Sequence, residues 1–169
     1  MSGPRDTFRV AFVCTGNRFR SPLAAAVFRG AVASLASDIR VESYGLLELE
    51  GEAALPEAVE LGGGLGVDLA GHRSRVFRPG DLRDVDLVER CAVPNVVDPL
   101  ACARRVLEEL AREHSSGRPR DLFEELGDPI GQPLRVQRLL AERVTVLTRR
   151  LAYGLFGGTP DYGAVTPMT

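Results

Sequence analysis

Residues 10–30 read VAFVCTGNRFRSPLAAAVFRG. The stretch opens on a brief apolar run rich in Val and Phe, the mark of a buried strand. It closes on a helical pattern behind Pro22, which suits a first helical turn because no N–H is needed there. Ser21 reads as the cap of that helix. Between the two lies a tight turn holding a cysteine, a glycine, two arginines and a serine. A strand that passes through such a turn into a helix places a ligand at the carboxyl end of a parallel sheet. The free N–H groups of the helix N-terminus favour an anion there.

The residue types in the turn suit one chemistry. Gly16 and Asn17 tolerate positive φ, so the amides of Thr15, Gly16, Asn17, Arg18, Phe19, Arg20 and Ser21 can face inward around a phosphate-sized oxyanion. Arg20, at the helix entrance, can hold two oxygens of that anion through its planar fork. Cys14 lies beneath the cradle, in a field that favours its thiolate, and Ser21 can donate a hydrogen bond to it. Sulfur can then attack phosphorus in line while Arg20 and the amides hold the equatorial oxygens. That reaction requires no metal and no cofactor.

The remaining segments alternate. Residues 39–45, IRVESYG, read as a second strand. Residues 55–69 read as a helix ending at a glycine cluster, where a left-handed cap is easy. A third strand falls in DVDLVERCAV, residues 84–93, and a helix in residues 98–114. The longest helical pattern spans residues 133–151, with apolar residues recurring at three and four. Alternation of strands and helices gives an α/β domain. We expect a central parallel four-stranded sheet with helices on both faces and the anion loop after strand 1. The chain of 169 residues suits one domain, with a core over about residues 8–152 and a loose Gly- and Pro-rich tail over 153–169.

Composition narrows the function. The formal net charge of -2 argues against nucleic acid or a membrane surface as a partner. All 21 basic residues are arginine, a bias shared with the abundant Ala, Gly and Val. Three cysteines are too few and too odd for a disulfide scaffold. No apolar run has the length of a membrane span, and the opening residues lack a signal-peptide core, so we expect a cytoplasmic protein. No His/Cys cluster has zinc-ligand spacing.

VCTGNRFRSP, residues 13–22, resembles the signature loop of the low-molecular-weight protein tyrosine phosphatases, V-C-x-G-N-x-x-R-S-P. The likeness continues through VESYGL (41–46), PEAVELGGGLGVDLAGHRSR (56–75) and GDPIGQPLRVQRLLAERV (127–144). It runs from about Phe8 to Leu151 and is weakest between Glu89 and Glu125. The resemblance implies Cys14 as nucleophile, Arg20 as phosphate clamp and Asp128 as general acid. It implies that Asn17, Ser21, Ser43 and His72 brace the loop. The substrate would be a phosphotyrosine protein or a small phosphomonoester, the loop would bind inorganic phosphate or a similar oxyanion, and the enzyme would be a monomer. An acid is needed on chemical grounds too, because an alkoxide or phenolate leaves poorly without a proton. Asp98 also precedes a proline but reads as the cap of the 98–114 helix.

The chain departs from the family pattern in places. Phe19 stands where the family commonly carries a second cysteine, so a local disulfide protecting Cys14 cannot form. Arg18 replaces a usually apolar residue near the site mouth. It is either a solvated side chain or a second positive contact for a substrate with more than one anionic group. Ile130 replaces an aromatic residue, and Tyr44 replaces alanine. Thioredoxin-coupled arsenate reductases share the fold and loop, so a relay through Cys14, Cys91 and Cys102 is the rival activity. Two small buried cysteines are the simpler expectation. An oxyanion-binding module without turnover is the third reading.

Overall fold

The computed structural model describes residues 7–35, 38–82, 85–91 and 128–157. Strand β1, Phe8–Cys14, runs at the centre of a parallel sheet between β2, Ile39–Gly45, and β3, Leu87–Cys91. The register pairs Cys14 with Gly45 on one side and with Cys91 on the other. The three strands therefore end level, and the nucleophile candidate stands at the carboxyl edge.

β1 is central because both its faces can be buried. Val10, Phe12 and Cys14 join one apolar cluster, and the alternate Ala11 and Val13 join a second with Tyr44 and Val85. The first cluster is covered by helix α1, Arg20–Val32, helix α2, Pro56–Gly64, and helix α3, Leu134–Phe156. Phe28 of α1 packs edge-on against Phe12 and Phe156, with ring centroids 5.5 Å and 6.3 Å apart. Truncating Phe28 to Ala would cost about 3–5 kcal/mol by the usual cavity penalty. Buried Gln137, Ala141, Val144, Thr148 and Leu151 follow one another at intervals of three and four along α3, the stripe expected of a helix half-sunk on a core.

One expectation needs correction, and two reach past the described residues. The described residues contain three strands, not four. The three described α-helices all pack on the first cluster; the helix expected over 98–114, with Cys102 and Asp98, lies outside the described residues. The last helix does not stop at Leu151, because α3 continues to Phe156. Phe156 stacks edge-on against Phe8 at 5.4 Å as well as Phe28, so apolar burial holds the final turn. Gly157 then ends the helix with φ 78°.

Candidate active site

Helix α1 starts two residues earlier than the capping pattern suggested. Its N-cap is Phe19, which makes no side-chain capping bond. Ser21 is not the cap, because its hydroxyl is engaged elsewhere, 3.0 Å from Cys14 Sγ. The amide of Asn17 points at the same sulfur, 3.2 Å away. Asn17 Nδ2 donates to Ser21 Oγ at 2.8 Å and to Ser43 Oγ at 2.9 Å. With one hydrogen of its own, Ser21 donates either to Cys14 Sγ or to the Tyr44 carbonyl at 3.3 Å.

The direction of the loop amides follows from its carbonyls. Leu46 N–H donates to the carbonyls of Cys14 and Thr15, and Leu47 N–H to that of Thr15. The carbonyl of Asn17 accepts from His72 Nε2 at 2.7 Å, that of Arg18 from Leu55 N–H at 2.9 Å, and that of Phe19 from Leu23 N–H. Among the described residues no peptide bond is cis. In a trans peptide the next N–H points opposite to its carbonyl, so carbonyls drawn outward turn the amides toward the sulfur side. Among the described residues the N–H groups of Gly16, Arg18 and Phe19 bond no protein acceptor.

Asn17 is the strained residue at the centre. It is fully buried and holds φ 53°, a conformation that Asn tolerates better than most side chains. Its Oδ1 accepts from Arg75 N–H at 2.9 Å. Gly45, at the end of β2, is the close approach behind it: a Cβ there would lie 2.8 Å from Gly16 C and 2.9 Å from Asn17 N. A glycine ending a strand is the one sequence signal of such contact. Burial holds the His72 imidazole below its ordinary range, opposed by the bond to the Asn17 carbonyl. A carbonyl brings no proton, so Nε2 carries it.

Arg20 is 3% exposed and reaches across to Thr15 Oγ1 at 3.4 Å. Its second terminal nitrogen is buried without a protein partner, a fork open to an anion. Asp128 faces it, with Oδ1 3.9 Å from Arg20 NH2. Asp128 also accepts from Ile130 N–H at 3.1 Å, which fixes the turn at Pro129. Cys14, Thr15, Gly16, Arg18, Phe19, Arg20, Asp128 and Ile130 share one pocket of about 120 Å³ with Leu47, Leu49 and Leu55.

The structure thus brings together Cys14, Asn17, Arg20, Ser21, Ser43, His72 and Asp128. Cys102 falls outside the described residues, and Cys91 stands opposite Cys14 in the Cα register. Sequence reasoning missed the backbone of Arg75 and the segment 46–55. Backbone donors leave no mark on side-chain chemistry. Tyr44 had no role in sequence terms; it is buried with its hydroxyl on Glu42 and Arg75 over its ring at 4.6 Å. Burial raises its pKa to about 12. Among the described residues no group of acidic, His or Cys side chains could hold a metal, and no helix is long and apolar enough to cross a membrane.

Residues 9–93, half of the chain, match the family model for low molecular weight phosphotyrosine protein phosphatases. A low molecular weight protein-tyrosine-phosphatase of Streptomyces coelicolor is 45% identical over 87 residues, covering 48% of this chain and 51% of that protein. The chain therefore spans about half the length of this curated relative. A crystal structure of a low molecular weight protein tyrosine phosphatase from T. tengcongensis superposes with TM-score 0.71 at 30% identity, covering 88% of this chain and 99% of the other. The YwlE arginine phosphatase of Geobacillus stearothermophilus superposes at 0.66 and 27% identity, over 88% and 92% of the two chains. The chain belongs to the low molecular weight phosphotyrosine protein phosphatase family.

Proposed function

We propose that the protein hydrolyses phosphate monoesters through a phosphocysteine intermediate. One observation carries this reading: Cys14 Sγ lies at the foot of a loop whose carbonyls at Cys14, Thr15, Asn17, Arg18 and Phe19 are bonded to groups outside the cradle, in one pocket with a carboxylate and a buried guanidinium. In the first step the Cys14 thiolate forms the S–P bond as the P–O bond breaks. Asp128 gives its proton to the leaving oxygen. Arg20 and the inward amides hold the three equatorial oxygens as their charge grows. In the second step Asp128 takes a proton from water, water oxygen bonds phosphorus, and the S–P bond returns its electrons to sulfur. Phosphate leaves and both side chains are restored.

Family membership supports phosphoryl chemistry over the cysteine relay of an arsenate reductase. The substrate is a phosphotyrosine protein or a small phosphomonoester. A relative named as an arginine phosphatase adds phosphoarginine to the panel worth assaying. Hydrolysis of an aryl phosphate by the full chain tests the proposal. Cys14→Ser is expected to lower kcat on the order of 10⁴-fold or more. Turnover that survives Cys14→Ser, or no turnover by the wild type, overturns it.

A further inference from the structure

Arg18 lies two residues before the phosphate clamp and lines the same pocket of about 120 Å³. Its position is fixed twice by one neighbouring segment. Its carbonyl accepts from Leu55 N–H at 2.9 Å, and its Nε donates to the Ala53 carbonyl at 2.7 Å. Ala53 is itself bridged to Arg73. A guanidinium held by Nε keeps its two terminal nitrogens side by side, the edge that grips a carboxylate or phosphoryl group in a fork. Among the described residues no acceptor meets those nitrogens. A solvated arginine does not need its long side chain fixed, since fixing it loses rotamer entropy.

Charge in the pocket points the same way. Its lining residues include two arginines, Arg18 and Arg20, and one acid, Asp128. Asp128 must carry a proton when it protonates the leaving group, and a single buried guanidinium already clamps the phosphoryl group. Granted the phosphoryl transfer proposed above, the geometry points to Arg18 as a specificity-determining residue that binds a second anionic group of the substrate. That group is a carboxylate or a further phosphoryl, close to the scissile phosphate because one small pocket touches both arginines.

The test compares kcat/KM for phenyl phosphate with that for carboxyphenyl phosphates. It then compares phosphotyrosine peptides carrying Ala or Asp beside the phosphotyrosine. The first pair reports a small-molecule substrate and the second an acidic phosphopeptide. Taking the ratio of wild type to Arg18→Gln for each compound removes differences in leaving group. Preference for the anionic member in either pair should fall about tenfold in Arg18→Gln, the worth of one charged hydrogen-bonded contact. It should invert in Arg18→Glu, and in the wild type it should fade with added salt. The salt series needs no variant to fold. Hydrolysis of both members without preference, or a preference that Arg18→Gln leaves intact, overturns the role of Arg18 while leaving the phosphatase reading standing. Failure to hydrolyse phenyl phosphate at all removes the phosphatase reading itself.

Discussion

The two loops that face each other across the pocket are held very differently. The loop from Cys14 to Arg20 is tied by Asn17 to Ser21, Ser43, His72 and Arg75, and by its carbonyls to Leu46, Leu47 and Leu55. Among the described residues the loop at Asp128 has two internal bonds, from Ile130 N–H to Asp128 at 3.1 Å and from Gln132 N–H to the Pro129 carbonyl at 3.2 Å, one tie to α3 from Gln137 Nε2 to the Gln132 carbonyl, and an ion pair 3.9 Å long, with Ile130 65% exposed. An ion pair 3.9 Å long whose carboxylate is 39% exposed contributes little. The contrast fits the two tasks. Amides that stabilise charge in a transition state must be aimed beforehand, since reorganising them during the reaction would raise the barrier. An acid that serves a leaving group and then a water needs room to meet both.

The largest test of this contrast removes the carboxylate proposed as the acid. Asp128→Asn should lower kcat by about 10²–10⁴-fold, the usual worth of a general acid. Binding of inorganic phosphate, read by calorimetry, should stay within a few fold. Loss of phosphate binding on the same scale as kcat would make Asp128 part of the cradle.

Next in size is Asn17→Ala. It removes three side-chain bonds and puts a residue that disfavours φ 53° at the turn. A loss of about 2–4 kcal/mol in a urea titration is expected, with weaker phosphate binding. An unchanged midpoint would mean the loop is not braced through Asn17.

The pH dependence comes third. Burial lowers the folded-state pKa of His72 from 6.5. As pH falls below 6.5 the unfolded chain takes up a proton that the folded site resists, so the stability due to neutral His72 is complete above 6.5 and declines on acidification. Urea midpoints measured from pH 7.5 down to 5 should slope accordingly. His72→Gln should flatten that part of the slope; a slope unaltered by the substitution would assign it to other groups.

The smallest expected effect belongs to the other loop. Ile130→Ala should change stability by no more than about 0.5 kcal/mol, because its side chain is already mostly in water. A loss of several times that value would show the acid loop to be packed more firmly than its contacts indicate.

Much of this site was legible in the sequence because it is local. Cys14, Gly16, Asn17, Arg20 and Ser21 sit within eight residues, and the strand–turn–helix change of period positions them without tertiary knowledge. The reading erred where side chains serve two masters. Ser21 looks like a cap, yet its hydroxyl goes to sulfur, so α1 begins at Arg20 instead. Long-range partners were legible only through family likeness: Ser43 and His72 carry no local signal. Arg75 contributes a backbone N–H, which any residue but proline could supply. The helix end failed for a related reason. Phe156 is held by Phe8 from the far end of the chain, and no window of sequence contains both.

The most direct test of the central claim is mass spectrometry of the wild-type enzyme quenched during turnover of an aryl phosphate and then digested. The account predicts one phosphoryl group on the peptide containing Cys14, present during turnover and gone once substrate is exhausted. Steady hydrolysis with that peptide never phosphorylated, or with the phosphoryl group on another residue, would contradict it.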